Sequence, residues 1–65
     1  MAIATEDVNR RVRWLRIRAE EVRTAAEDIH DRNSRRSLLL IAASYETIAS
    51  HLENAAEHLS LDRTG

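Results

Sequence analysis

The sequence predicts an all-α protein, an antiparallel two-helix hairpin with helices at about 6–30 and 32–60. Two apolar stripes at alternating four- and three-residue steps, separated by the polar segment 31–34, predict this fold. The 65 residues contain no proline, and the one glycine is the last residue, so nothing interrupts a helix internally. The length predicts one domain, 1–65, in which 1–4 and 61–65 are expected to fray.

The first predicted helix has an acidic start and one apolar stripe. Thr5 is the expected N-cap, and Glu6 and Asp7 follow it in the first turn, where negative charge favours the helix dipole. The stripe comprises Val8, Val12, Leu15, Ala19, Val22, Ala26 and Ile29. Its alternation of small and large residues predicts a close approach to a neighbouring helix.

The segment 31–34 supplies the turn and the cap of the second helix. Asp31 or Asn33 is the expected N-cap, with Asp31 favoured. A connection this short makes the two helices antiparallel neighbours.

The second predicted helix carries two stripes rather than one. The first comprises Leu38, Ala42, Tyr45, Ala49, Leu52, Ala56 and Leu59. Beside it runs a second stripe made of Ile41, Ile48 and Ala55. One partner helix cannot cover both stripes, so the sequence predicts that two hairpins pair into a four-helix bundle.

Folding the chain at 31–34 predicts the register of the two helices. In this register we expect ion pairs along one flank of the hairpin, Arg23 with Glu46 and Arg16 with Glu53. Exposed pairs of this kind select an alignment more than they add stability.

The opposite flank is apolar and has no partner within a single hairpin. Contiguous exposed apolar surface usually marks a protein contact, and a chain of 65 residues without cysteine has neither disulfides nor a large core. We therefore expect a homo-oligomer, with a dimer favoured, or docking onto a larger protein. The expected interface residues are Trp14, Ala25, Ile41, Ile48, Leu52 and Ala55.

Two alternatives to this interface remain open. Arginine stems can cover the second stripe and leave a weakly stable monomer. Trp14 can lie on the surface with Arg18, one turn further on, as a cation–π neighbour.

A cluster of arginines in the first helix supports a second hypothesis, nucleic-acid binding. The expected contacts are Arg10, Arg11, Arg13 and Arg18, beside Trp14. Against this hypothesis, the formal net charge is -1, and the antiparallel fold brings acidic side chains beside the cluster. The sequence therefore favours protein interaction over nucleic-acid binding.

Other function classes find little support in the sequence. Glu27 and His30 have the Glu-x-x-His spacing of carboxylate-bridged metal bundles, but both fall at outward positions and no second such motif occurs. There is no nucleophile set and no glycine loop for a phosphate, so we expect no enzyme, no metal and no cofactor. The longest apolar run, 38–43, is too short to span a bilayer, and the amino terminus lacks a secretion signal. We therefore expect no membrane contact and a cytoplasmic location.

A family resemblance covers about Val12 to Leu52. Residues 35–49 carry the pattern RR-x-L-x-x-I-A-x-x-Y-E-x-I-A, and residues 18–23 read RAEEVR. This segment resembles the recurring core of small uncharacterised helical-hairpin proteins of alphaproteobacteria. Similar chains often have Asp-Pro at the turn, where this one has Asp31-Arg32. The resemblance implies a helical hairpin and no particular activity.

Overall fold

The protein is a rod made of two helices that pack against each other as a hairpin. The structure, a computed structural model, describes the backbone of residues 5–64 and the side chains of residues 6–58. Helix α1 spans Thr5–Glu27 and helix α2 spans Arg32–Thr64, and no described residue lies in a strand. The principal extents are 52 × 15 × 15 Å. The predicted all-α hairpin is confirmed.

Helix α1 ends three residues before the predicted end at 30. The amides of Asp28 and Ile29 donate to the carbonyl oxygens of Ala25 and Ala26, at 3.2 and 3.1 Å. These bonds reach back three residues instead of four, so they tighten the last turn and end the α-helical ladder. None of the residues that the structure describes has a positive φ, so the turn is built without a left-handed residue.

Helix α2 begins at a side-chain cap formed by Asp31. The Ser34 amide and the Ser34 hydroxyl both donate to Oδ2 of Asp31, at 2.9 and 2.8 Å. The backbone amide bond, and then the hydroxyl bond, hold the pKa of the Asp31 carboxyl below its usual value. Nε of Arg35 also donates to the carbonyl oxygen of Ile29 at 3.2 Å, which ties the connection to α2. Asp31 is therefore the N-cap, as predicted.

Helix α2 runs four residues beyond the predicted end at 60. It continues to Thr64, so 61–64 extend the helix instead of forming a separate tail. No proline or glycine precedes Gly65, so no residue in this stretch opposes a helical backbone. At the other end, Thr5 is the first helical residue instead of the cap before it, and the fraying predicted for 1–4 lies outside the described residues.

The interface between the two helices is formed mainly by alanine. The buried side chains are Val12, Leu15, Ala19, Ala26, Ala42 and Ala49. The four alanines are at most 1% exposed, which means that the two backbones approach closely, as their spacing predicts. Among the described residues, no large side chain is fully buried. The core is therefore continuous but thin.

The isolated hairpin exposes more surface than a compact protein of its size. Its accessible surface is 5546 Å² for 7.4 kDa, against about 4200 Å² for a compact monomer of that mass. Its radius of gyration is 15.3 Å, against about 11 Å for a compact domain of this length. A lone hairpin leaves roughly a third more surface in water than a typical small domain does.

Candidate functional site

One flank of the hairpin is closed by ion pairs between the helices. Arg16 pairs with Glu53, and Arg23 pairs with Glu46. Arg23 also contacts Glu20 of its own helix at 3.3 Å. The hydrogen bond to Glu46 is the main cause that raises the pKa of Arg23 above its usual value. Both predicted pairs form, so the predicted register is confirmed.

The other flank presents apolar side chains to solvent. We call it the apolar flank; it consists of Ile41, Ile48 and Ala55 from α2 and of Trp14 and Ala25 from α1. All five residues are exposed, with 45% of Ile41, 49% of Ile48 and 56% of Trp14 accessible. The second stripe of α2 therefore remains uncovered when the hairpin has formed, as the two-stripe pattern predicts.

Contacts within the chain hold Trp14 in place at the edge of the apolar flank. Its ring lies edge-on to Tyr45, with centroids 6.3 Å apart and planes at 87°. The guanidinium carbon of Arg18 lies 5.9 Å from the Trp14 centroid, and Nη1 of Arg18 donates to Glu21 at 3.1 Å. Hydrogen bonds to Glu21, and then to Tyr45, raise the pKa of Arg18 above its usual value. The predicted contact of Arg18 with Trp14 therefore forms within the hairpin, and more than half of Trp14 stays exposed in the single chain.

Leu52 has a different position from the other expected interface residues. It is half-buried and packs against the cluster of Val12, Leu15 and Ala49. The physical reason is its place on the first stripe of α2, which faces α1. Leu52 is a core residue of the hairpin, and we leave it out of the apolar flank.

The structure exposes three large apolar residues that sequence reasoning did not single out. They are Ile17, Leu39 and Leu40, at 52%, 43% and 62% accessibility. None of the three belongs to an apolar stripe. Their position outside the stripes was the signal in the sequence that could have predicted their exposure. By heptad position, Ile17 and Leu40 lie on the outer faces of their helices, and Leu39 lies on the ion-paired flank near the turn. None of the three extends the apolar flank.

The arginines expected to contact nucleic acid fall into two groups. Arg18 is engaged by Glu21 and by the Trp14 ring. Arg10, Arg11 and Arg13 are exposed, and within residues 6–58 they pair with no carboxylate. These three arginines form a group within about one turn of α1. Arg32, Arg35 and Arg36, at the start of α2, likewise pair with no carboxylate among residues 6–58.

Glu27 and His30 show no metal-binding arrangement. Glu27 is the last residue of α1, His30 lies in the connection, and both are exposed. In the part of the chain that the structure describes, no three His, Asp or Glu side chains cluster around a possible metal position. Over the same residues, neither helix contains a stretch of the length and hydropathy needed to cross a bilayer.

Comparison with known proteins identifies no relative of this chain. No protein-family model, no curated protein and no solved structure matches it. The functional interpretation therefore depends on the surface of the hairpin itself.

Proposed function

We propose that this protein is a small helical assembly module whose apolar flank binds a second copy of the same chain, so that two hairpins form a four-helix bundle. The difference between the two flanks carries the proposal. One flank is closed by inter-helix ion pairs, whereas the other leaves Ile41, Ile48 and Trp14 about half exposed. A protein surface with this asymmetry is typical of a protein-binding face.

The dimensions of the hairpin fit a dimer interface. One whole side of the rod, 52 Å by 15 Å, has a projected area of roughly 780 Å², so an interface of the standard ~800 Å² per partner would occupy about one side of the hairpin. The thin alanine core is a second reason to expect association. A chain of 65 residues has an expected stability of only about 3–10 kcal/mol.

Covering the apolar flank contributes free energy on that same scale. Burying the exposed half of Ile41 and of Ile48 contributes on the order of 1 kcal/mol per side chain. A dimer covers two copies of each, together with two indoles. The cost of bringing two chains together offsets part of this gain. Association is therefore a substantial part of the stability of the folded protein, and the melting temperature should rise with protein concentration.

Ile48→Glu tests the proposal, with Thr47→Glu as the matched control. Thr47 is the neighbouring exposed residue and lies outside the apolar flank. The wild type should have twice the chain mass of 7.4 kDa. We expect Ile48→Glu to be monomeric and to melt at a lower temperature, because a dimer would desolvate the new carboxylate. Thr47→Glu should remain dimeric.

Light scattering and sedimentation at several protein concentrations measure these masses. A wild type that stays monomeric throughout would contradict self-association. A dimer whose mass is unaffected by Ile48→Glu would show that the contact lies elsewhere on the surface.

Nucleic-acid binding is the second proposal, and the turn of unpaired arginines favours it. Binding through Arg10 and Arg13 should weaken steeply as salt rises, because phosphate contacts release counterions. Apolar association should hold or strengthen under the same conditions. Fluorescence anisotropy with a labelled duplex and a labelled single strand measures the affinity. If the double variant Arg10→Gln and Arg13→Gln binds as well as the wild type, this proposal is wrong.

A further inference from the structure

The charge along the apolar flank changes sign between Arg18 and Glu21. At the heptad positions that border this flank, Asp7, Arg11 and Arg18 come first, Glu21 follows on α1 and Asp28 lies in the turn after it, all of them exposed. Arg18 and Glu21 are equally far from a point between residues 19 and 20, and so are Arg11 and Asp28. A second copy packed antiparallel about that point would bring Arg18 of each copy beside Glu21 of the other, and Arg11 of each beside Asp28 of the other.

Side-chain size shows the same reversal on both helices. Trp14 and Ala25 are also equally far from the point between residues 19 and 20. On α2, Ile41 and Ala55 stand seven residues to either side of Ile48. An antiparallel second copy would therefore set Trp14 against Ala25 and Ile41 against Ala55. Large residues opposite small ones are what close packing of two like surfaces requires.

The centres of these two patterns lie at the same height in the hairpin. The pairs Arg16–Glu53 and Arg23–Glu46 place the point between residues 19 and 20 level with the point between residues 49 and 50. Ile48 lies about 2 Å from that level, at ~1.5 Å rise per residue. One axis therefore serves both helices to within about 2 Å, which leaves the two copies of Ile48 about 4.5 Å apart along the helices.

We infer that two copies associate about a twofold axis perpendicular to the helices, which passes beside Ile48 of α2 and between Ala19 and Glu20 of α1. This inference rests on the proposed self-association and defines its geometry. Helix α1 packs antiparallel to α1 of the second copy, and α2 packs antiparallel to α2. Ile48 meets its own copy at the axis, and two Arg18 and two Glu21 side chains alternate around it.

The other twofold arrangement of two such faces has its axis parallel to the helices. It would pack α1 of one copy on α2 of the other. By the register of the ion pairs, Arg18 would then lie level with His51, and Glu21 level with Ile48. Charged groups would lose water without gaining opposite charges, so this arrangement is disfavoured.

Single cysteines distinguish the two arrangements, because the natural chain contains none. Under mild oxidation Ile48→Cys should form a disulfide-linked dimer, since the two copies of residue 48 meet at the axis. The matched control, Ser44→Cys, is exposed on the same face one turn away. Its two copies would be about 16 Å apart along the helices, beyond the reach of a disulfide.

A charge exchange at the axis gives a second test that does not depend on cross-linking. Arg18→Glu should weaken the dimer on the order of tenfold, because like charges then surround the axis. Adding Glu21→Arg should restore the affinity. Arg23→Glu, on the ion-paired flank, should leave the dissociation constant of folded hairpins unchanged.

The outcomes separate this inference from the proposed function. A dimeric wild type in which Ile48→Cys does not cross-link, or in which Ser44→Cys cross-links as well as Ile48→Cys, would overturn the twofold geometry and leave self-association standing. If adding Glu21→Arg to Arg18→Glu does not restore the affinity of the dimer, the twofold geometry is overturned as well. A monomeric wild type would overturn the proposed function itself.

Discussion

Shortening Leu15 to alanine tests whether the thin core holds the hairpin together. Leu15 is 9% exposed and is the largest side chain in the buried set. It packs with Val12 and Ala49, and Leu52 lies against this cluster. Ile17, two residues further along α1, is 52% exposed and offers a matched control.

The structure sets the size of the expected effect. Leu15→Ala removes three carbons from a buried position, which costs ~2.4 kcal/mol in transfer free energy before any cavity term. For a domain of this length, ~2.4 kcal/mol corresponds to a fall in melting temperature of about 10–20 °C. Ile17→Ala should change the free energy of unfolding by no more than ~0.5 kcal/mol, because the side chain is half in water and lies outside the apolar flank.

Circular dichroism during heating and during urea titration measures both variants. The protein concentration must be the same for all samples, because association adds concentration-dependent stability. An equal loss for Leu15→Ala and Ile17→Ala would refute the reasoning. It would mean that the outer face of α1 is covered in the assembled protein and that the apolar flank is not the contact surface.

Two further predictions concern the turn and the close approach of the helices. Asp31→Ala should lower the melting temperature, because the amide and hydroxyl of Ser34 lose their acceptor, whereas Asp31→Asn keeps an acceptor and should melt closer to the wild type. Folding lowers the pKa of Asp31, so the stabilisation by its carboxylate is present above the usual carboxyl value of 3.8 and is lost as the pH falls through the lower folded value. In acid titrations, the difference in stability between wild type and Asp31→Asn should therefore shrink over this range. A difference that does not shrink would contradict the cap. Ala49→Leu should destabilise the protein by about 1–3 kcal/mol, because it forces apart two helices that meet at a fully buried alanine. The control Ser50→Leu, at an exposed position, should have little effect in the same melts.

The features that sequence reasoning predicted correctly are those with a local or periodic cause. The heptad spacing determines which residues share a helix face, and it placed Ala19 and Ala49 in the core. Asp31 three residues before Ser34 is a capping pattern that needs no tertiary contact. The register followed because two arginines and two glutamates have matching spacing on the two helices.

The predicted ends of the helices were less accurate, for a physical reason. Helix α1 stops at Glu27, because the amides of the next two residues take nearer carbonyl oxygens as the chain turns toward the cap. Helix α2 reaches Thr64, because apolar periodicity is not needed for a helix to continue where no residue stops it. Neither end has a sequence signal as strong as the Asp31 cap.

By itself, then, the sequence determined two helices, their turn, their alignment and a second apolar stripe, because each follows from spacing along one chain. Only the tertiary structure decided which large side chains are covered. Periodicity places both Leu15 and Leu52 on stripes that face the other helix, but it does not show that the hairpin buries Leu15 and covers Leu52 only in part. The burial of each large side chain depends on how closely the alanines let the helices approach and on which neighbouring side chains it then contacts. The contact of Trp14 with Tyr45 was decided in the same way, by packing between residues that are distant in sequence.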